Sequence, residues 1–495
     1  MTAVQTKAET FESLNPATDE VVGTYPVHTE EDVTLAVARA RTAATWWNEL
    51  GFAGRAERLR RWKGIVTRRA PQLAEVVHQE TGKPHADAMI EIILGIDHTA
   101  WVAKNARKVL GPKRRSAGLL MANQAATVEY QALGVVGVIG PWNYPVFTPL
   151  GSIVYALAAG NAVVFKPSEF TPGVGKWLAD SFAEAVPEQP VFQLLTGFGP
   201  TGAALCKSGV NKLAFTGSAA TGRKIMAGCA ETLTPVLIEA GGKDALLVDA
   251  DADVEAAADA AIWGGMSNAG QTCVGVERVY VHEKVYDAFV ASAVEKARSV
   301  RAGSDADAQI GPITMPAQLD IIRRHIDDAI ARGGKALVGG PDAVGERFVQ
   351  PTILVDVPED SIAVRDETFG PTLTIAKVKD MDEAVAKAND SRYGLGATVY
   401  AKRRGMELAR RLRSGMTSVN SVIAFAGIPT LPFGGVGESG FGRIHGPDGL
   451  KEFTRAKAIA RQRFRAPIVL TSFARTEKTD ATVAKLITLL HGKRK

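Results

Sequence analysis

Between positions 30 and 49, apolar residues recur at Val33, Ala36, Val37, Ala40 and Ala44, the spacing of one helix face. Helical spacing continues over 53–80 and 84–108. Residues 127–140 are rich in valine and read as extended. Short apolar runs then alternate with helical stretches. Strands are predicted at 162–165, 192–196 and 212–216, the last running into Gly217, with a helix over 173–185 and another after Gly217. Residues 236–238 and 245–248 again read as strands. The alternation restarts after Asp251, with helices at 253–267, 284–300, 317–333 and 404–414 and strands at 277–282, 396–401 and 416–420. Buried strands joined by crossover helices predict an α/β fold built on doubly wound parallel sheets. Residues 432–446 hold six glycines in fifteen positions and read as a loop.

Charge changes this picture in two places. Residues 130–165 carry no charge, yet Pro141, Pro145 and Pro149 interrupt them. A spanning helix needs ~20 largely apolar residues with a satisfied backbone, so the run reads as buried strand, loop and helix. At the other end, residues 461–495 hold nine basic residues against Glu477 and Asp480, leaving 49 basic and 51 acidic residues elsewhere. A body so near neutrality argues against nucleic-acid binding. Val483, Leu486, Leu489 and Leu490 read as one face of a helix over 480–490, capped by Asp480. That helix is expected to pack on the body or on a partner subunit. Contact of the basic tail with an anionic membrane is the alternative.

With 46% hydrophobic and 22% charged residues, the chain is globular rather than disordered. Cys206, Cys229 and Cys273 form neither a C-x-x-C pair nor a ligand cluster with histidine. No metal site is expected, and a reducing cytoplasm fits. Residues 1–12 are polar and do not read as a secretion signal.

Four segments carry candidate chemistry. Cys273 ends Asn268-Ala-Gly-Gln-Thr-Cys, a polar segment just after a predicted helix. Glu239 ends an apolar strand and enters Ala240-Gly241-Gly242-Lys243; a carboxylate in such company has a raised pKa, as a general base needs. Asn143 is held between Pro141 and Pro145, where a fixed amide can donate to a developing oxyanion. Gly217 and Gly222 bracket a strand-to-helix turn suited to a dinucleotide phosphate, although the spacing matches neither usual glycine fingerprint.

Together with KPSE at 166–169, ETFGP at 367–371 and PFGG at 432–435, these segments give the sequence its resemblance to the aldehyde dehydrogenase superfamily, from about Asn15 to about Ala458. The resemblance implies a Rossmann-type cofactor domain from 1–112 and 134–239 and an α/β catalytic domain from 240–440. It also implies an oligomerisation β-flap from 113–133 and 454–464, and a basic tail over 466–495 that exceeds the usual family end. It implies Cys273 as nucleophile, Glu239 as the base that activates water, and Asn143 with the Cys273 N–H as the oxyanion hole. Lys166 and Glu169 resemble adenosine-ribose contacts. Gly217, Ser218 and Gly222 resemble pyrophosphate and helix-entry positions. Trp142 resembles a cofactor wall, and Glu367 and Phe369 resemble nicotinamide-ribose and nicotinamide contacts.

Two positions depart from the family: Ala240 replaces the usual leucine after the base, and Arg443-Ile-His-Gly446 lacks a common glutamate. The acidic Glu169 favours NAD, since it would repel a 2′-phosphate, with NADP possible. Tyr144, Thr148, Gly151 and Ser267 resemble tunnel positions. The last three are small or polar, and 421–431 contains no arginine. A roomy tunnel for an apolar, aromatic or medium-chain aldehyde follows. Against it, SAATG at 218–222, SNAG at 267–270 and RIHGPDG at 443–449 resemble an actinobacterial branch of succinate-semialdehyde dehydrogenases. A CoA-acylating enzyme is disfavoured by Glu239, and a non-catalytic scaffold protein by the presence of all three catalytic groups. The resemblance implies a homodimer or homotetramer.

Overall fold

The computed structural model describes residues 9–466, 468–469 and 471–492. Most of the segment read as lacking a secretion signal, and the tail's Lys493, Arg494 and Lys495, lie outside the described residues.

The chain opens with an antiparallel hairpin that the sequence reading did not foresee, β1 (Thr10–Leu14) against β2 (Val21–Pro26). Four helices follow, at Glu30–Glu49, Gly51–Arg68, Ala70–Thr81 and His85–Leu110. The run expected as one helix over 53–80 is two, because Pro71 lies in the first turn of the second and cannot continue the first. The segments β3 (Lys113–Arg115) and β4 (Gln124–Ala132) come next. The stretch expected to be extended from 127 to 140 divides between two sheets. Gly134 takes a φ of +127°, and the N–H groups of Leu133 and Gly134 both donate to Asn161 Oδ1, at 2.7 and 2.9 Å.

The first large sheet is built on β5 (Val135–Ile139), β6 (Ala162–Lys166), β7 (Phe192–Leu194), β8 (Lys212–Gly217) and β9 (Val236–Ala240). All pair in parallel, in the order β9-β8-β5-β6-β7. Strands β5 and β6 are buried along their whole length, which is why they read as continuous apolar runs rather than alternating ones. Trp62, Phe182 and Phe192 pack edge to face on one side of this sheet. The chain order reverses between β5 and β8, and the crevice at their carboxyl ends is where open α/β sheets place ligands.

The second sheet contains β10 (Asp244–Val248), β11 (Val276–His282), β12 (Lys335–Val338), β13 (Thr352–Val355), β14 (Thr372–Val378), β15 (Ala397–Tyr400) and β16 (Ser418–Val419). Its order is β12-β13-β14-β11-β10-β15-β16, parallel except at β12. Strands β12 to β14 went unread in the sequence. Apolar clusters around Leu246, Val279 and Phe289 and around Leu247, Tyr280 and Val399 cover its faces.

The glycine-rich 432–446 segment is not all loop. Its β17 (Gly440–Phe441) pairs antiparallel with β9 and brings Gly440 opposite Glu239. Residues Gly111–Gln131 and Ala456–Lys495 form a separate compact unit, in which β18 (Thr454–Gln462) lies beside β4 in the order β18-β4-β3. A helix over Glu477–His491 follows. No helix among the described residues is long and apolar enough to cross a membrane.

Candidate active site

Asn143 stands in the loop that follows β5, just before the helix Phe147–Ala159. Its side chain is buried, and Nδ2 donates to the Gln271 carbonyl at 2.9 Å. An amide nitrogen carries two hydrogens, so one remains to point elsewhere. The Asn143 carbonyl accepts from Asn268 Nδ2 at 3.1 Å and from Lys83 Nζ at 2.9 Å. Lys83 and Glu91 form a buried ion pair at 2.8 Å. Glu91 Oε2 in turn accepts from the N–H groups of Val146 and Phe147, at 3.0 and 3.1 Å. A carboxylate at a helix N-terminus satisfies otherwise orphaned donors.

The segment before Cys273 is tightly wound. Asn268, Ala269 and Gly270 all take left-handed φ values, of 53°, 55° and 70°. Such values are costly for alanine, by about 1–2 kcal/mol. Asn268 Nδ2 also donates to the Gln271 carbonyl, and Gln271 Nε2 to the Asn268 carbonyl, which locks the turn. Gln271 Oε1 accepts from the Thr314 N–H at 2.8 Å. Only glycine fits at 270, because a Cβ would sit 2.0 Å from the Gly370 carbonyl oxygen. The cysteine loop is thereby seated on the 367–371 segment.

Cys273 is partly exposed. Burial of its sulfur and the nearby carboxyl groups of Glu239, Glu367 and Asp244 push its thiol well above the usual range. Glu239 ends β9, is 2% exposed and accepts from Thr216 Oγ1 at 3.1 Å. Burial lifts it to about 7, against which the Thr216 hydrogen bond acts. The glycines after it allow close approach: a Cβ on Gly242 would lie 2.8 Å from the Cys273 carbonyl oxygen, and one on Gly241 would overlap the Glu367 carboxyl. Glu367 Oε1 accepts from the Gly242 N–H at 3.0 Å, and burial beside Glu277 raises it to about 8.

Phe369 is held in a left-handed turn, φ 52°, because Glu277 accepts from both the Thr368 and Phe369 N–H groups. Glu277 also forms a buried ion pair with Lys243, whose Nζ donates to Thr368 Oγ1 at 3.0 Å. The Phe369 ring meets Trp142 edge to face with centroids 5.6 Å apart. At the switch point, Ser218 caps the helix Ala219–Ala230 by accepting from the Thr221 N–H. Gly217 and Gly222 lie close to Phe215 and Ile238, at 2.6 and 3.1 Å from where a Cβ would be. Lys166 is buried at the end of β6 and donates to the Pro167 carbonyl, and desolvation lowers its pKa. Glu169 is half-buried beside Phe170, facing a cavity of about 510 Å³ also lined by Phe11, Phe198 and Pro316. The Lys166 ammonium, the Glu169 carboxylate and the N-terminus of the helix Ala219–Ala230 are group types that suit a dinucleotide.

Tyr144 Oη pairs with Thr272 Oγ1 at 3.0 Å, beside the nucleophile candidate, and its ring lies under Lys83 Nζ. Thr148 is half-buried one turn further on, and Ser267 ends the helix Val254–Met266. Gly151 does not border the open space expected of it. The His445 imidazole stands against it, between Phe147 and Phe433 and 4.0 Å from the His98 ring. Neither His445 nitrogen has a hydrogen-bond partner, and burial depresses its pKa well below 6.5. Among the described residues, no cluster could hold a metal ion.

The sequence reading did not single out Lys83, Glu91, Gln271, Glu277, Thr368 or His445. Apart from the pairs Lys83–Glu91, Asn268–Gln271 and Phe433–His445, their partners lie dozens of residues away in sequence. The only local signal was a charged residue in an otherwise apolar setting, as at Glu91.

The aldehyde dehydrogenase family profile matches residues 3–459. A 4,4′-diapolycopene aldehyde oxidase from Methylomonas sp is 36% identical over 92% of this chain and 87% of its own length. A Mycolicibacterium smegmatis relative named “Putative succinate-semialdehyde dehydrogenase, NADP(+)” is 38% identical over 89% of this chain and 86% of its own. The crystal structure of an NAD-dependent aldehyde dehydrogenase from Sinorhizobium meliloti superposes with a TM-score of 0.89 at 34% identity, covering 94% of this chain and 93% of that one. With the fold and the cysteine loop in place, the chain belongs to the aldehyde dehydrogenase family, NAD(P)-dependent oxidoreductases that convert aldehydes to acids.

Proposed function

We propose that this chain oxidises an apolar, aromatic or medium-chain aldehyde with NAD preferred over NADP, using Cys273 as nucleophile. The observation that carries the catalytic assignment is the close approach of the segment after Glu239 to the cysteine loop, where a Cβ on Gly242 would lie 2.8 Å from the Cys273 carbonyl oxygen, with the Glu239 carboxyl among the groups that raise the Cys273 thiol. A carboxylate with a pKa near 7 is matched to take a proton from water at neutral pH. The Cys273 thiol gives up its proton to solvent, and the thiolate attacks the carbonyl carbon. The free Asn143 N–H and the Cys273 backbone N–H donate to the developing oxyanion. A nicotinamide cofactor, which Trp142 and Phe369 would hold, would supply the acceptor for the hydride as the adduct's C–H bond breaks and its carbonyl re-forms, leaving a Cys273 thioester. Glu239 removes a proton from water, whose oxygen displaces sulfur and releases the acid with the thiol restored.

The substrate class rests on neutral surroundings near the active-site helix. Phe147 and Phe433 pack on an uncharged His445 that fills the space beside Gly151, and no arginine stands at Gly151, at Ser267 or in 421–431. The Methylomonas relative, by its name, acts on 4,4′-diapolycopene aldehyde. The second reading, succinate semialdehyde, is favoured by the name of the Mycolicibacterium relative. NAD is favoured by Glu169, although that relative's name specifies NADP(+).

A panel of benzaldehyde, octanal and succinate semialdehyde, each with NAD and NADP, tests both points. The expected result is a higher kcat/KM for benzaldehyde or octanal, with NAD. A large preference for succinate semialdehyde overturns the substrate class, and comparable kcat/KM for NADP overturns the cofactor preference. Reduced cofactor formed equally by Cys273→Ala overturns the catalytic assignment. Turnover that requires CoA replaces hydrolysis by acyl transfer.

A further inference from the structure

The unit formed by Gly111–Gln131 and Ala456–Lys495 concentrates the chain's positive charge. It carries 13 basic residues against three acidic ones, whereas the rest of the chain carries 45 against 50. Its carboxyl-terminal limb holds ten of the 13, from Lys457 to Lys495.

The same limb displays apolar side chains. Phe473 is fully exposed, Phe464 is 54% exposed and Val469 39%. The helix Glu477–His491, capped by Thr476, buries none of its residues. Its apolar stripe differs from the sequence expectation. Val483, Leu486, Ile487 and Leu490 have the i, i+3, i+4, i+7 spacing of one face. Leu489 falls outside that spacing and is 71% exposed. Lys478 and Lys485 lie on the opposite side, about 100° per residue being the helical step.

We infer that this limb binds an anionic phospholipid bilayer. Basic residues interspersed with exposed phenylalanine and leucine match the chemistry of a headgroup region, where charge meets phosphate and apolar groups enter the acyl boundary. A nucleic-acid surface needs the charge but makes no use of a leucine stripe. A second copy of the chain could cover the apolar face, but would gain little from scattered arginines. Binding here would hold the enzyme beside membrane-dissolved molecules and needs no assumption about the aldehyde it oxidises.

Co-sedimentation of the full chain with vesicles of phosphatidylcholine alone, or mixed with phosphatidylglycerol, tests this. At about 50 mM salt the chain is expected to pellet with the anionic vesicles only, and to be released at about 500 mM salt as screening shortens. Each basic residue near the surface contributes about a fivefold change in partitioning. The double variant K478E/K485E is therefore expected to lose at least roughly 25-fold, with aldehyde oxidation unchanged. A 1–466 truncation is expected to stay in the supernatant. Equal binding to neutral vesicles, no binding to anionic ones, or undiminished binding by the truncation overturns the inference. So does displacement from vesicles by duplex DNA at lower concentration than by free phosphatidylglycerol vesicles, which assigns the limb to nucleic acid. A loss of oligomer mass on truncation without any vesicle binding assigns it to a second copy.

Discussion

Nε2 of His445 lies 2.8 Å from the point at which a side chain on Gly151 would begin. The imidazole is fixed among Phe147, Phe433, Tyr155 and His98 and has little room to yield. Gly151→Ala is therefore expected to lower stability by about 1–3 kcal/mol through overpacking. In a His445→Ala background the cost should fall, with part of it kept by Ile444 Cδ1, which also lies 2.8 Å from that point. Thermal unfolding of the two single variants and the double variant measures this coupling.

The neighbouring His98 predicts a pH dependence of stability. Burial lowers its pKa from 6.5 to about 4. The folded state holds it neutral, so its contribution is complete above 6.5 and is lost as pH falls toward 4, where only the unfolded chain takes the proton. The slope is about 1.4 kcal/mol per pH unit at most. A Tm profile from pH 8 to pH 4 should be flatter for His98→Phe than for the wild type.

Glu239 should set the pH profile of turnover. Its ionisation near pH 7 predicts a kcat that rises through that value. The Thr216 hydroxyl stabilises the charged form at 3.1 Å. Thr216→Val is expected to move the midpoint upward. Glu239→Gln should abolish the midpoint and reduce steady-state turnover by at least about 100-fold, while retaining a first burst of reduced cofactor. An unshifted profile in Thr216→Val would show that another group controls the step.

The thiol of Cys273 should be poorly reactive without cofactor. Burial and the Glu239 and Glu367 carboxyl groups raise its pKa. Alkylation by iodoacetamide is expected to be slow at pH 7 and still accelerating at pH 9. Glu239→Gln should be alkylated faster at any pH above 7, because one opposing charge is gone. Mass spectrometry of the modified peptide follows both rates.

The Lys83–Glu91 pair should be a large contributor to both stability and turnover. It is buried and holds the Asn143 carbonyl and the N-terminus of the following helix. Lys83→Met leaves Glu91 without its counter-charge, at a cost of about 3–5 kcal/mol. Adding Glu91→Gln should recover part of that loss, since the uncompensated charge is removed. Tm and kcat of the three variants check this.

Much of the central α/β alternation was readable from the chain because buried parallel strands appear as unbroken apolar runs. β12, β13 and β14 were missed; β12 and β13 have only four residues each, β12 lies at the edge of the second sheet, and β14 is buried inside it. The break at Gly134 was also missed, as its cause is Asn161, whose side chain reaches back to it. At the site, Cys273, Glu239 and Asn143 stood out through their glycine, proline or apolar neighbours. Lys83 and His445 did not, because their surroundings are assembled from distant segments.

The sequence by itself determined the family, the candidate chemistry-bearing residues and the location of the excess charge, because motifs and composition are local properties. Only the tertiary structure decided the protonation of those residues and the space around them. Glu239 rises to about 7 because packing around β9 excludes water, and Gly151 borders an imidazole because the 440–446 segment, paired to the edge of the first sheet at β9, brings His445 against it. Solvation and steric contact depend on which distant segments meet, and the order of residues along the chain does not display that.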